Sequence, residues 1–347
     1  MGISNLRAGA AVTLRDVARV AGVHPATVSR ALNEETRSLV NEETARRVLQ
    51  AADELGYQPN PIARGLKTNR SYTIGVLIPD LTNPLFPPIL RGIEDRLEIA
   101  GYTPLTANTD NDPERELLDS QIMRARQVDG IIAATARRDH RLHDALLEAG
   151  TELVLVNRRQ PDLPVSSATA DDRLGMRLAV EHLLSLGHTR IAHVGGPLDY
   201  STGLDRSESF HETMRTAGIA PDPELVLVAE AFTESEGARL CGQLVSEGRQ
   251  FTAVAAANDL LALGCYDVFA ERVVRCPEEI SVIGFNDMPF AARFNPPLTT
   301  IHIPHYEIGK AAAELMLERL QDGDSPPREV RLEPSLVIRG STAPAPR

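Results

Sequence analysis

The sequence predicts a small all-α head joined to a larger α/β body built on parallel sheets. Three observations carry that prediction. Residues 13–33, TLRDVARVAGVHPATVSRALN, read as two short helices around a tight turn. From residue 74 onward, apolar runs of strand length alternate with amphipathic helical stretches. Charge also divides the chain: residues 1–70 hold ten Arg/Lys against seven Asp/Glu, and residues 71–347 hold 26 against 41. The net charge of −12 therefore conceals a basic head on an acidic body, the distribution expected when a nucleic-acid reader is attached to a domain of another kind.

In the head, Thr13 and Asp16 form a capping box at the start of the first helix. Leu14, Val17, Ala18 and Ala21 fall on one face, and Gly22 supplies the turn. Pro25 restarts the helical pattern where a missing N–H costs nothing. Val28, Ala31 and Leu32 face inward, while Ala26, Thr27, Ser29 and Arg30 point elsewhere. This is the layout of a helix-turn-helix, whose second helix enters the DNA major groove; an ordinary helical hairpin has the same pattern. Residues 34–40 read as a loop. Asn41 caps a third helix running to Gly56, with Val48, Leu49, Ala52 and Leu55 as its inward stripe. Residues 57–71 look like a linker, yet Asn60-Pro61 starts a short helical pattern containing Ile62, Ala63, Leu66 and Lys67. Gly65 weakens that helix by about 1 kcal/mol, and its length leaves it unstable alone. A DNA minor groove is one candidate support.

In the body, strand-like runs occur at Ile74–Ile78, Thr103–Ala107, Gly130–Ala134, Leu153–Val156, Ile191–Val194, Val226–Ala229, Ala253–Ala256 and Ser281–Phe285. Helical segments Ile89–Ala100, Glu116–Arg126, Arg173–Leu186 and Leu260–Phe269 separate them. Eight such units exceed one small lobe. No apolar run spans a membrane, and residues 1–12 lack a long apolar core of a secretion signal and read as a disordered tail. Cys241, Cys265 and Cys276 are odd in number and fit no metal spacing, so they read as reduced thiols of a cytoplasmic protein. His140 and His143 form HxxH without partner ligands, and Asp171-Asp172 reads as helix capping. No phosphate loop, GxSxG or ordered nucleophile-base set is present, so no cofactor, metal or catalytic residue is assigned.

The motifs VARVAGVHPATVSRALN, ELGYQPNPIARGL, IPDLTNPLF, HLLSLGHTRIAHVGG, ANDLLALG, ISVIGFND and PPLTTIHIP occur in order, and together they resemble the lactose-repressor (LacI/GalR) family of bacterial transcription regulators. The resemblance implies a helix-turn-helix head at 13–58 and a hinge helix and linker at 59–71. It also implies a body at 72–342 of two doubly wound lobes, like a type I periplasmic binding protein, joined by three crossovers. Lobe 1 is expected at about 72–170 and 297–325, lobe 2 at about 171–296 and 326–342, with 343–347 as a tail. That tail has no leucine heptads, so a homodimer is expected rather than a tetramer.

By resemblance, His24, Pro25, Ala26, Thr27, Ser29 and Arg30 of the second helix meet DNA, as do Asn60, Ala63, Arg64, Leu66 and Lys67 of the hinge. Arg30 is able to read guanine or to hold a phosphate. His24 replaces the serine common at its position, which leaves the helix cap open. Leu66 matches the leucine that wedges between base steps, or it packs on the body. The partner would be a near-palindromic operator. Resemblance also places an effector between the lobes against Asn83, Phe86, Asn157, Arg206, Phe232, Asn258 and Asn286. Phe232 would stack on a ring or belong to the core. Asn157 and Asn286 stand where relatives often carry Asp, and Arg206, Arg137, Arg138, Arg158 and Arg159 are nearby. The expected effector is an anionic sugar derivative or a neutral sugar. An enzyme and a periplasmic receptor share the body fold and are the alternatives.

Overall fold

The computed structural model describes residues 12–57, 70–138 and 142–346, which divide into two compact units between Ser71 and Tyr72. The expected N-terminal tail and hinge helix lie outside the described residues.

The head comprises α1 (Leu14–Ala21), α2 (Pro25–Leu32), α3 (Glu34–Arg37) and α4 (Glu42–Glu54). Thr13 donates to the Asp16 carboxylate from its backbone N at 3.0 Å and its hydroxyl at 2.7 Å. These bonds, the hydroxyl's first, hold the Asp16 carboxyl below the usual carboxylate range. Gly22 takes the left-handed turn, with φ 67°. Val17, Ala21, Val28, Ala31, Val48 and Ala52 form the head's core. Two details differ from the sequence reading. Leu49 is 39% exposed, because it stands about 100° round the helix from the fully buried Val48; Ala45 and Ala51 take the inward places. The expected loop contains the single turn α3. The Thr36 hydroxyl and Arg37 Nε donate to the last carbonyls of α2, at Arg30 and Ala31, which draws the chain into that turn.

The body begins with β1 (Thr73–Ile78), α5 (Phe86–Ile99), β2 (Thr103–Asn108), α6 (Pro113–Ala125), β3 (Gly130–Ala133), α7 (Leu142–Glu148), β4 (Glu152–Val156) and β5 (Ser166–Ala170). It continues through α8 (Asp172–Ser185), β6 (Ile191–Gly195), α9 (Ser201–Thr216), β7 (Val226–Val228), α10 (Glu234–Ser246), β8 (Ala253–Ala256), α11 (Asp259–Glu271), β9 (Ser281–Asn286) and β10 (Thr299–His302). It ends with α12 (His305–Gln321), β11 (Glu329–Leu332) and β12 (Ser335–Val337). The first sheet has the order β11-β5-β4-β3-β1-β2 and is parallel throughout. The second has the order β12-β10-β9-β8-β6-β7, with only β12 antiparallel. Helices flank both sheets, so their central strands are apolar on both faces.

The chain passes between the sheets three times, after β5, β10 and β11. The tail divides differently from the expected boundaries at 297 and 326. Thr299–His302 pairs with β9 in the second lobe, and Glu329–Leu332 pairs with β5 in the first. Both strands are four residues long and carry no extended apolar run, so their sheet is set by tertiary pairing alone. Between them α12 packs on α5 at backbone contact. A Cβ at Gly92 would stand 2.0 Å from the Tyr306 carbonyl, and one at Gly309 would stand 1.9 Å from that of Ile89.

Asp259, at the start of α11, is fully buried. Its carboxylate accepts from the Met288 backbone N at 2.7 Å and the Thr300 hydroxyl at 2.6 Å, tying α11 to the loop after β9 and to β10. Burial nevertheless raises its pKa from 3.8 to about 7. The folded state therefore binds this proton more tightly than the unfolded chain does. The group's contribution to stability is full below pH 3.8 and is lost as pH rises through about 7. Asp259→Asn mimics the protonated side chain and is expected to remove that slope, so that its stability relative to wild type is higher at pH 8 than at pH 5. The difference should be at most about 4 kcal/mol. Urea midpoints of both proteins at the two pH values check it.

Candidate functional site

The first candidate site is the outward face of α2. His24, Ala26 and Arg30 are exposed, and Pro25, Thr27 and Ser29 are half-buried. The cap left open by the missing serine is supplied by His24 itself, whose Nδ1 accepts from the Ala26 backbone N at 3.2 Å. Only the neutral ring has that acceptor. Val28 and Ala31 fasten the opposite side of the helix into the head core. The exposed face thus belongs to a fixed helix with one long cation, Arg30, in its last turn. Asn60, Ala63, Arg64, Leu66 and Lys67 lie outside the described residues.

The second site is in the body. Parallel sheets of this kind leave a crevice at the carboxyl ends of their strands, where the strand order reverses. Both sheets reverse, at β1/β3 and at β6/β8. The loops following these strands enclose a cavity of about 720 Å³, counted to its open mouth. All seven residues expected at an effector site line it: Asn83, Phe86 and Asn157 from the first lobe, Arg206, Phe232, Asn258 and Asn286 from the second. Asn111, Tyr200 and Thr202 also line it and were not assigned from the sequence, and Arg158, one of the arginines expected nearby, lines it as well.

Several of the seven have part of their chemistry committed to the fold. Asn83 Oδ1 accepts from the Leu85 backbone N, and Asn258 Oδ1 caps α11 through the Leu261 N at 2.8 Å. Asn258 Nδ2 stands 3.5 Å from the Phe232 carbonyl. Phe86 is 2% exposed and belongs to the core. Phe232 is half-buried and presses on Gly196, where any Cβ would collide with its ring. Asn157 and Asn286 sit at positive φ, 65° and 112°. Short polar side chains tolerate that backbone best, so the fold gives an independent reason for asparagine at both.

Arg206 differs most from expectation. As an expected effector contact it would need donors free for a ligand. Instead Nε donates to Asp172 Oδ1 at 2.7 Å, and Nη2 lies 2.6 Å from the same oxygen. Nη1 donates to the Ala257 carbonyl at 2.7 Å, and Nη2 reaches Asn286 Oδ1 at 3.5 Å. The guanidinium also lies over Phe285, at 3.8 Å. Burial pushes the Asp172 carboxyl up, and Arg206 opposes that shift. The two acids read as a capping pair therefore separate in role: Asp171 caps α8 through the Leu174 N, and Asp172 is the counter-ion of Arg206.

The other arginines are not a uniform rim. Arg137 pairs with Asp199 at 2.5 Å, and Arg159 makes two bonds to Asp205, at 2.8 and 3.0 Å. Arg158 is buried, its Cζ 3.7 Å from the centre of the Tyr200 ring. No group of three metal-ligating side chains occurs among the described residues, and His140 lies outside them.

Two outcomes follow. His24→Ala should weaken the start of α2 by about 0.5–2 kcal/mol, whereas His24→Ser should restore it. Amide hydrogen exchange at Ala26 and Thr27 reads the difference. Asp172→Ala should strand the Arg206 charge and destabilise the body by about 3–5 kcal/mol, read from the urea midpoint.

Among known sequences, residues 13–60 match the bacterial regulatory proteins of the lacI family, and residues 180–342 match a periplasmic binding protein-like domain. The chain is 35% identical over 333 residues to the HTH-type transcriptional repressor PurR of Aliivibrio fischeri (strain MJ11), covering 95% of this chain and 98% of that one. It is 33% identical over 330 residues to the ribose operon repressor of Escherichia coli (strain K12), with 95% and 99% covered. Its structure is similar to that of the lac repressor dimer bound to operator and the anti-inducer ONPF, with a TM-score of 0.86 at 29% identity, covering 96% of this chain and 100% of that one. These relatives are regulators by name, not enzymes. The chain belongs to the lacI family of bacterial regulatory proteins and is a DNA-binding transcriptional regulator.

Proposed function

We propose that the chain is a repressor that binds a near-palindromic operator as a homodimer, in the cytoplasm and on the nucleoid, and that a small sugar-like effector in the body cavity sets its operator affinity. One observation supports this above the rest: the cavity wall is contributed by residues of both lobes, Asn83 and Asn157 from one and Arg206, Asn258 and Asn286 from the other. A ligand touching both lobes favours the lobe arrangement in which it touches both, and so carries the differential affinity that allosteric coupling requires. In this reading Pro25, Ala26 and Arg30 meet base edges, Thr27 and Ser29 meet phosphate, and His24 holds the helix start. Asn60, Ala63, Arg64, Leu66 and Lys67 supply the hinge contacts, with Leu66 as the wedge. Names of relatives support the sign of regulation, because PurR and the ribose operon protein are both called repressors.

The test is operator titration with a fluorescent near-palindromic duplex taken from upstream of the gene, without ligand and then with a panel of sugars and sugar derivatives. Specific binding is expected without or with ligand, and at least one compound should shift it about tenfold, equal to about 1.4 kcal/mol of coupling. Absence of specific binding even at low salt, where phosphate contacts are strongest, would sink the reading. Arg30→Ala should cost about 1–3 kcal/mol of discrimination at one base pair if it reads guanine.

A further inference from the structure

Among the described residues two arginines line the cavity, and they stand in opposite electrostatic conditions. Arg206 has its counter-ion in Asp172 and spends its donors on Asp172, Ala257 and Asn286. Arg158 is 6% exposed, and its Nε and Nη1 have no hydrogen-bond partner among the described residues. No carboxylate lies within ion-pair distance of it there. The nearby Asp199 is taken by Arg137, and Glu116 accepts from the Thr135 hydroxyl. The Tyr200 ring lies under the guanidinium and attracts the cation, and Tyr200, Asp199 and Glu116 all favour the charged form, yet Nε and Nη1 keep no acceptor among the described residues. An arginine remains charged in a protein, and a buried charge without a partner is costly.

We propose that the cavity takes an anionic ligand, a carboxylate or phosphate ester of a small polyol, whose negative group is held by Arg158. The inference rests on the cavity being the effector site and names the class of effector. Such a ligand supplies the missing counter-charge and the missing acceptors together. The polyol part meets the amides of Asn83, Asn157 and Asn286, and Phe232 presents a ring edge or face to its carbon skeleton. Two carboxylates also line the cavity. Asp80 is held in its own turn by the Thr82 backbone N and hydroxyl, at 2.8 and 2.6 Å. Glu230 is exposed, so water and salt screen it. Neither offsets the buried guanidinium.

The experiment is calorimetric titration of the full chain with matched probes: D-glucose, D-gluconate and D-glucose 6-phosphate, and D-ribose, D-ribonate and D-ribose 5-phosphate. At least one anion is expected to bind about tenfold or more tightly than its neutral parent. The acid and phosphate arms decide which anion is held. Arg158→Met should bring that ratio near unity, Arg158→Lys should keep most of it, and Phe232→Ala should weaken parent and anion alike. Ligand-free Arg158→Met should melt no lower than wild type, because it removes a buried charge that nothing balances. A neutral parent that binds as tightly as its anions, an anion preference that survives Arg158→Met, a lowered Tm for ligand-free Arg158→Met, or failure of every anion at millimolar concentration overturns the proposal. Operator titration of the same samples separates the two conclusions. Intact operator binding with any of these results leaves the regulator reading standing, and lost operator binding strikes that reading alone.

Discussion

The Asp172–Arg206 pair is the constraint on which the body's cavity depends. It is deeply buried, and desolvating two charges costs more than their attraction returns unless every remaining donor is used. Here each of the three guanidinium nitrogens has an acceptor. Arg206 extends from α9 to Asp172 at the start of α8, to the carbonyl of Ala257 just after β8, and to Asn286 at the end of β9. One guanidinium thereby fixes three strand-end or helix-start positions of the second lobe relative to each other. The wall they make is set before any ligand arrives, which is the preorganisation that a binding site requires.

That same pairing decides how charge is distributed across the cavity. If Asp172 were absent, Arg206 would be the natural seat for an anion. With Asp172 present, the second lobe's wall is locally neutral, and the unbalanced positive charge belongs to the first lobe at Arg158. The two lobes meet through the segment from Asp199 to Asp205. Arg137 binds Asp199, the Arg138 backbone N donates to the Asp199 carbonyl at 2.8 Å, and the Arg159 backbone N donates to the Ser201 hydroxyl at 3.0 Å. Arg159 and Asp205 complete the seam. Three neighbouring arginines of the first lobe are thus held by acids of the second lobe or by its backbone, and Arg158 alone is left stacked on Tyr200 without a hydrogen-bonded acid among the described residues.

How much of this was legible depended on whether the signal was local. The eight apolar runs from Ile74 to Phe285 coincide with strands to within a residue: six are buried parallel strands, which need continuous apolar sequence, and β2 and β7 are half-buried edges. The capping box at Thr13, the turn at Gly22 and the cap at Asn41 were likewise readable, since each is satisfied within a few residues. β5, β10, β11 and β12 were not. β5 is built only of Ser, Ala and Thr and carries no apolar run, and the other three are three or four residues long, with partners elsewhere in the chain choosing their sheet. The positions of the seven cavity residues came from motif resemblance, and their availability did not. An acidic pair before a helix suggests capping, and nothing local distinguishes Asp171, which caps, from Asp172, which pairs with an arginine 34 residues away. The burial of Arg158 is equally silent in sequence, for four arginines at 137, 138, 158 and 159 look alike until the fold assigns acids to some of them.

Asn157 joins these threads. Its residue type is narrowed twice, by a left-handed backbone at the end of β4 and by its place on the cavity wall beside Arg158. Aspartate satisfies the backbone as well as asparagine does. In the cavity the two are not equivalent. A carboxylate at 157 would put a further negative charge on the wall that Arg158 lines, so an arriving anion would meet repulsion there. A carboxamide offers hydrogen bonds of both polarities and leaves the charge unbalanced. Asn286 repeats the logic on the facing lobe, where Asp172 already balances Arg206 and a further carboxylate would repel an incoming anion. The two amides and the acid at 172 therefore act together: one charge is neutralised inside the fold by Asp172, and no carboxylate among the described residues pairs with the other.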